Sequence, residues 1–140
     1  MFVFDTDHLG IWQRETHPEV VRLAERMADF EPDDFFVTIV SFHEQVTGWN
    51  AYLHRAKNQT GVVRAYGMFQ GILADFATMN VLPFDDSAAA IFEELRRQRV
   101  RVATMDLRIA AITISRGFKL LSRNLADFQK IPGLAVESWV

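Results

Sequence analysis

Residues 2–9 read "FVFDTDHL": three apolar side chains, Phe2 to Phe4, run straight into two acids, Asp5 and Asp7. The apolar run is the pattern of a short buried strand, and helix-like spacing of apolar residues begins at Leu9. In an α/β protein with a parallel sheet, functional groups collect where strands end, at their carboxyl termini. A strand that delivers the chain into a pair of carboxylates is therefore a candidate for both the sheet's first strand and its site.

The chain downstream fits that frame. "PEVVRLAERMADF", residues 18–30, has a proline near its start and apolar residues at helical spacing. "FFVTIV", residues 35–40, is β-branched and aromatic and is expected to be a buried strand. Two amphipathic helices are expected around residues 42–57 and 62–78, then a short strand near "NVLPF". Further helices fit "SAAAIFEELRRQ" and "MDLRIAAITISRG", the second closed by Gly117 as its C-terminal cap. "FKLLS" is a further strand and "LAVESWV" a closing edge strand. Strands alternating with helices imply an α/β fold, a central mainly parallel sheet flanked by helices and joined by right-handed crossovers.

With 140 residues, 49% of them apolar, residues 1–140 are expected to form a single domain around one core. No cysteine is present, so no disulfide framework operates and a cytoplasmic, reducing setting is the expectation. No basic stretch leads into a long apolar run, and no segment approaches the ~18 apolar residues of a bilayer span, so no membrane partner is expected. A net charge of −3 excludes a broadly basic nucleic-acid binder, though a local basic rim is compatible with it.

If Asp5 marks a site, other acids should follow strand ends or open helices that face the same crevice. Glu44 follows "FFVTIV", Asp106 lies in the first turn of the "MDLRIAA" helix, and Asp127 follows "FKLLS". Each also has a structural explanation. Ser41 and Glu44 match the S-x-x-E capping box; Asp106 and Asp127 suit the positive end of a helix dipole; Asp7 could cap the first helix. The set is more informative than its members, because carboxylates gathered in one crevice repel each other and some must protonate unless a cation joins them. Hard oxygen ligands suit Mg²⁺ or Mn²⁺, which activates water and neutralises phosphoryl charge. Phosphodiester hydrolysis is the reaction that such a site serves.

The segments "FVFDTDHL", "TIVSFHEQVTGW", "VLPFD", "TMDLRIAA" and "LLSRNLADFQKIPGLAVESW" together resemble the PIN-domain ribonuclease toxins of the VapC type, across nearly the whole chain. The resemblance implies a three-layer α/β/α PIN-like domain and a Mg²⁺- or Mn²⁺-dependent endoribonuclease, the toxin of a toxin–antitoxin pair. Its acidic motif carries onto Asp5, Glu44, Asp106 and Asp127, with Asp5 and Asp106 as metal ligands. It also implies an RNA substrate, a cognate antitoxin that covers the acidic groove, and a homodimer. Asp7 stands where the family often has Asn, and "SRN" where "TRN" is common. Ser122 keeps the hydroxyl and could orient a metal water or a phosphate. Asn124 is a candidate helix cap.

Arg123 could hold a scissile phosphate or pair with Asp127 or another ligand. Arg108, Arg55 and Lys57 could track an RNA backbone or simply be solvated. Phe42, Trp49 and Tyr52 could stack on bases, bind a partner or pack in the core. The four histidines show no zinc spacing, since Thr47 occupies the second histidine position of H-E-x-x-H.

Two other readings remain at this level. A haloacid-dehalogenase-type phosphatase would use Asp5 as nucleophile, Asp7 as acid or base, Ser41 and Lys119, but its late acidic pair should follow the lysine, and Asp85 and Asp86 precede it. A non-catalytic partner-binding module would gain nothing from concentrated like charge.

Overall fold

The computed structural model describes residues 1–140 and shows a five-stranded sheet in the order β3-β2-β1-β4-β5, with every neighbouring pair parallel. The strands are β1 (Phe2–Phe4), β2 (Phe35–Thr38), β3 (Val81–Leu82), β4 (Lys119–Leu121) and β5 (Ala135–Glu137). Seven helices cover them: α1 (Thr6–Gln13), α2 (Val20–Met27), α3 (Ile39–Arg55), α4 (Gln59–Ala77), α5 (Asp86–Arg97), α6 (Thr104–Arg116) and α7 (Leu125–Phe128).

Side chains alternate across the sheet, as the two-residue period of a strand requires. Val3 and Leu120 point to one face and pack with Phe92, Leu95, Leu107, Ile112 and Phe128 of α5, α6 and α7. Phe2, Phe4 and Leu121 point to the other and pack with Leu9, Leu23, Ile72 and Phe76 of α1, α2 and α4. The result is the expected α/β/α sandwich. No helix is long and apolar enough to cross a membrane.

The expected strand at residues 35–40 ends at Thr38. Ile39 and Val40 are the first helical residues of α3, because the Thr38 hydroxyl accepts the Ser41 N–H at 3.1 Å and caps the helix there. The Ser41–Glu44 capping box therefore does not form: Ser41 already lies inside the first turn, and Glu44 lies a turn further on. The helices expected at 42–57 and 62–78 each start about one turn earlier, at Ile39 and Gln59. Gly117 closes α6 with φ of 67°, in the left-handed conformation that favours glycine.

The connectivity creates one reversal. From central β1 the chain moves outward to β2 and β3, then returns to β4 on the other side of β1 and continues to β5. Neighbouring strands β1 and β4 thus send their exits to opposite sides, which opens a crevice at their carboxyl ends. Asp5 follows β1 there, and Ser122 follows β4.

Candidate active site

The first carboxylate sits at the junction of β1 and α1, where its backbone N–H still donates to Leu121 O at 2.9 Å. Asp5, not Asp7, is the cap of α1: Oδ1 accepts the Thr6 N–H at 2.8 Å. Oδ2 accepts the Ser122 hydroxyl at 2.8 Å across the crevice. Asp5 is only 6% exposed. Burial, reinforced by the charges of Asp7 and Asp106, pushes its carboxyl up to about 7, against the pull of both hydrogen bonds.

Asp7 lies in the first turn of α1, held by two groups. His8 Nδ1 is 2.8 Å from Oδ1, Oδ2 accepts the Arg123 N–H at 3.0 Å, and Ser122 Oγ, whose proton goes to Asp5, lies 3.5 Å from Oδ2. Burial opposes its ionisation, but the hydrogen bonds from His8 and Arg123 outweigh burial and hold the carboxyl below the usual carboxylate range. The added acid at this position is thus a fixed negative charge beside Asp5.

Glu44 projects from α3 towards α1, where Oε1 accepts the Thr6 hydroxyl at 3.2 Å; the same hydroxyl lies 3.0 Å from Ser41 Oγ. Partial burial, with Asp106 nearby, raises its carboxyl despite the Thr6 bond. Asp106, half-buried in the first turn of α6, is raised by burial and by the charges of Asp127 and Asp7, and no hydrogen bond offsets them. Asp127 is the outlying member: its carboxylate accepts from Asn124 Nδ2 and Lys130 Nζ, both at 3.1 Å, and is held low by them.

Charge links the four acids: Asp106 raises Asp5 and Glu44 and is itself raised by Asp127, as carboxylates facing one crevice do. The side chains do not close into a group of three or more ligands around one point. The donor set nonetheless fits a hard dication. The carboxyls of Asp5, Glu44 and Asp106 are raised first by burial and then by neighbouring acids, a penalty that a bound cation would relieve, and Mg²⁺ takes one or two carboxylates while keeping its waters.

No protein-family model matches the chain. Over 86 residues, 59% of its length, it is 31% identical to ribonuclease VapC1 of Rickettsia felis. Over 65 residues, 44% of its length, it is 37% identical to the tRNA(fMet)-specific endonuclease VapC of Salmonella typhimurium. The matched stretches span 62% and 49% of those two proteins. Among solved structures, the chain overlays a chain of VapBC-1 from nontypeable Haemophilus influenzae with a TM-score of 0.75 and 20% identity, covering 99% of this chain and 97% of that one. A chain of the DNA-bound VapBC2 complex from Rickettsia felis gives a TM-score of 0.72 at 18% identity, covering 99% and 98%. In fold and in sequence likeness, the chain is VapC-like.

Within this VapC-like fold, the other expected residues fall into place unevenly. Ser122 is fully buried and spends its hydroxyl on Asp5 while accepting the Asn124 N–H at 3.0 Å, so it orients a carboxylate. Arg123 is exposed, and its guanidinium lies 3.4 Å from Glu19 instead of pairing with Asp127. Asn124 stands at the cap position of α7 but makes no cap bond; its side chain goes to Asp127. Arg108 turns to α5, over the Phe92 ring. Phe42 packs edge-on against Phe76, as a core residue would.

The VapC-like arrangement also removes the phosphatase's lysine. Lys119 starts β4 and pairs with Glu137 at 2.6 Å, at the opposite end of the strand from Ser122. Asp85 caps α5 through the Ala88 N–H, and Asp86 opens that helix.

Two residues of the site carried no individual signal. Thr6 stands between the two acids of "DTD" and ties α1 to Glu44; a hydroxyl flanked by carboxylates was the available clue. His8, fully buried, was readable only as a histidine without ligand spacing.

Proposed function

We propose that this chain is a metal-dependent endoribonuclease that hydrolyses RNA phosphodiester bonds as the toxin of a toxin–antitoxin pair. The observation that carries the proposal is the convergence of Asp5, Glu44, Asp106 and Asp127 at the carboxyl ends of β1 and β4, with three of the four raised above their ordinary ionisation. A Mg²⁺ or Mn²⁺ ion held by Asp5 and Asp106 would supply an activated water and neutralise charge on the phosphoryl group. Ser122 and the Thr6 N–H orient Asp5; Thr6 orients Glu44 towards the crevice; Asn124 and Lys130 hold Asp127 at its edge. Arg123, exposed beside Asp7, is placed to reach a phosphate if it exchanges its long contact with Glu19.

The Salmonella relative is named for tRNA(fMet), which makes transfer RNA the first substrate to test. A cognate antitoxin and a homodimer are part of the reading. Val63, Tyr66 and Leu73 stand exposed along one side of α4 as apolar surface for a protein neighbour. A cytoplasmic location accords with a substrate made there.

The test is purified, partner-free protein incubated with RNA. Cleavage should require Mg²⁺ or Mn²⁺, stop in EDTA, leave 5′-phosphate and 3′-hydroxyl ends, and vanish in Asp106→Asn. Undiminished cutting in chelator, or cyclic 2′,3′-phosphate ends, would overturn the mechanism.

A further inference from the structure

Between Glu44 and Asp75 the chain has no acidic residue, although it carries 18 in all. These thirty residues, most of α3 and α4, hold Arg55, Lys57 and Arg64; their net +3 leaves −6 on the rest of the chain, which together make its −3. Helix solubility does not require this segregation. On α5 the cations Arg96 and Arg97 sit beside Glu93 and Glu94 at 3.5 and 2.7 Å, the usual mixed surface.

The structure gathers the three cations. The turn from α3 to α4 forms an open depression lined by Tyr52, Arg55, Lys57, Asn58, Thr60 and Arg64. Arg64 comes from the second helix, and its guanidinium lies 5.8 Å from the Trp49 ring centre and 5.9 Å from that of Tyr52. Arg64 thus lies within cation–π reach of both rings and has no carboxylate partner, which leaves its N–H groups available to an oxyanion. Trp49 and Tyr52 themselves meet edge to face at 5.1 Å.

The depression shares α3 with the site. Arg55 lies eleven residues beyond Glu44, about 16 Å along the axis at ~1.5 Å per residue. An acidic crevice repels every phosphate of an RNA strand except one that a bound cation neutralises. The flanking phosphates therefore need positive charge elsewhere, and α3 leads to it. An acidic protein segment would also find the cations, but Glu44 and Arg55, eleven residues apart, lie on nearly one face of α3, so a strand that leaves the crevice along that face meets both.

We propose that the α3–α4 turn is a second RNA contact, at which Arg55, Lys57 and Arg64 hold backbone phosphates of a single-stranded segment a few nucleotides from the bond that is cut. The inference rests on the ribonuclease reading. Its test uses the full chain carrying Asp106→Asn, so that RNA is bound but not cut, and a fluorescein-labelled single-stranded RNA titrated over a range of salt. Adding Arg55→Gln, Lys57→Gln and Arg64→Gln should weaken binding at least tenfold at low salt. It should also flatten the slope of log K against log salt by about 2, at ~0.7 per lost phosphate contact on a single strand. Because loss of Arg64 could disturb the helix pair, the Arg55→Gln/Lys57→Gln variant, with an unchanged melting temperature, should flatten the slope by about 1.4.

A parent that binds no RNA would overturn both this contact and the proposed function. Parent binding with the same slope in both variants would overturn the contact alone. Unaltered RNA binding together with lost binding of a polyglutamate peptide would give the turn to a protein partner and likewise overturn it.

Discussion

His8 Nε2 accepts the backbone N–H of Trp139 at 3.1 Å, while Nδ1 of the same ring lies 2.8 Å from Asp7 Oδ1. One buried imidazole thus joins the first helix of the chain to its last residues. A neutral ring that accepts through Nε2 carries its proton on Nδ1 and donates it to Asp7. His8→Leu leaves the Trp139 N–H and one Asp7 oxygen without partners. The Trp139 N–H is buried, whereas the part-exposed Asp7 oxygen can turn to water; at ~1–3 kcal/mol for one buried unpaired group, the loss should be about 1–3 kcal/mol in urea unfolding. A loss under about 0.5 kcal/mol would show that the ring only fills space.

Asp5 gives the metal-free protein a pH dependence of definite sign. Its carboxyl ionises near 3.8 when unfolded and about 7 when folded. Between those values the unfolded chain releases a proton that the native state keeps, so rising pH favours unfolding. The stability is fully present below about pH 4, declines towards pH 7 and then levels, over a total on the order of 4 kcal/mol. Asp5→Asn does not titrate and keeps the capping geometry, since Asn caps as well as Asp. Its advantage over wild type in EDTA should therefore grow between about pH 4.5 and 7.5. A constant difference across that range would mean that Asp5 is an ordinary cap.

Metal should reverse that ordering. A ligand that binds only the native state stabilises it by RT ln(1 + [L]/Kd), about 2.7 kcal/mol at a hundredfold excess over Kd. Wild type should gain this in Mg²⁺ or Mn²⁺, whereas Asp106→Asn should lose most of the gain, because it removes the one carboxylate of the four with no hydrogen bond competing for it. Equal thermal shifts in the two proteins would exclude Asp106 as a ligand.

Thr38 marks the end of β2 through its hydroxyl. Thr38→Val keeps the shape of this fully buried side chain and removes the acceptor for the Ser41 N–H. The cost should be ~0.5–2 kcal/mol. Because α3 carries Glu44, metal-dependent stabilisation should weaken in the same variant, read by the same melts.

The sheet and the acids were legible locally; their partners were not. β1, β4 and β5 announce themselves by short apolar runs, and Asp5, Glu44, Asp106 and Asp127 by their positions after strands or in first helical turns. Ile39 and Val40 misled, since β-branched residues favour a strand, whereas the Thr38 cap turned the chain into a helix before them. That shift also dissolved the capping-box reading of Glu44 and left it facing Thr6. The His8–Trp139 bond spans 131 residues, and no local pattern encodes a contact of that separation. The Ser122–Asp5 bond spans 117, and only the strand order β1-β4 makes it close.

That strand order has a consequence for the making of the protein. β1 is synthesised before the other four strands, yet it occupies the middle of the sheet, and β4, its neighbour across the crevice, follows more than a hundred residues later. Asp5 meets Ser122 only after β4 has docked, and Asp127 follows later still. A ribosome-bound chain that has emerged only as far as α5 would hold two acids of the four and an open sheet edge at β1. The four acids therefore come to share one crevice only after β4 and α7 have joined the sheet built on β1, so a chain that stalls before them presents none of the assembled site.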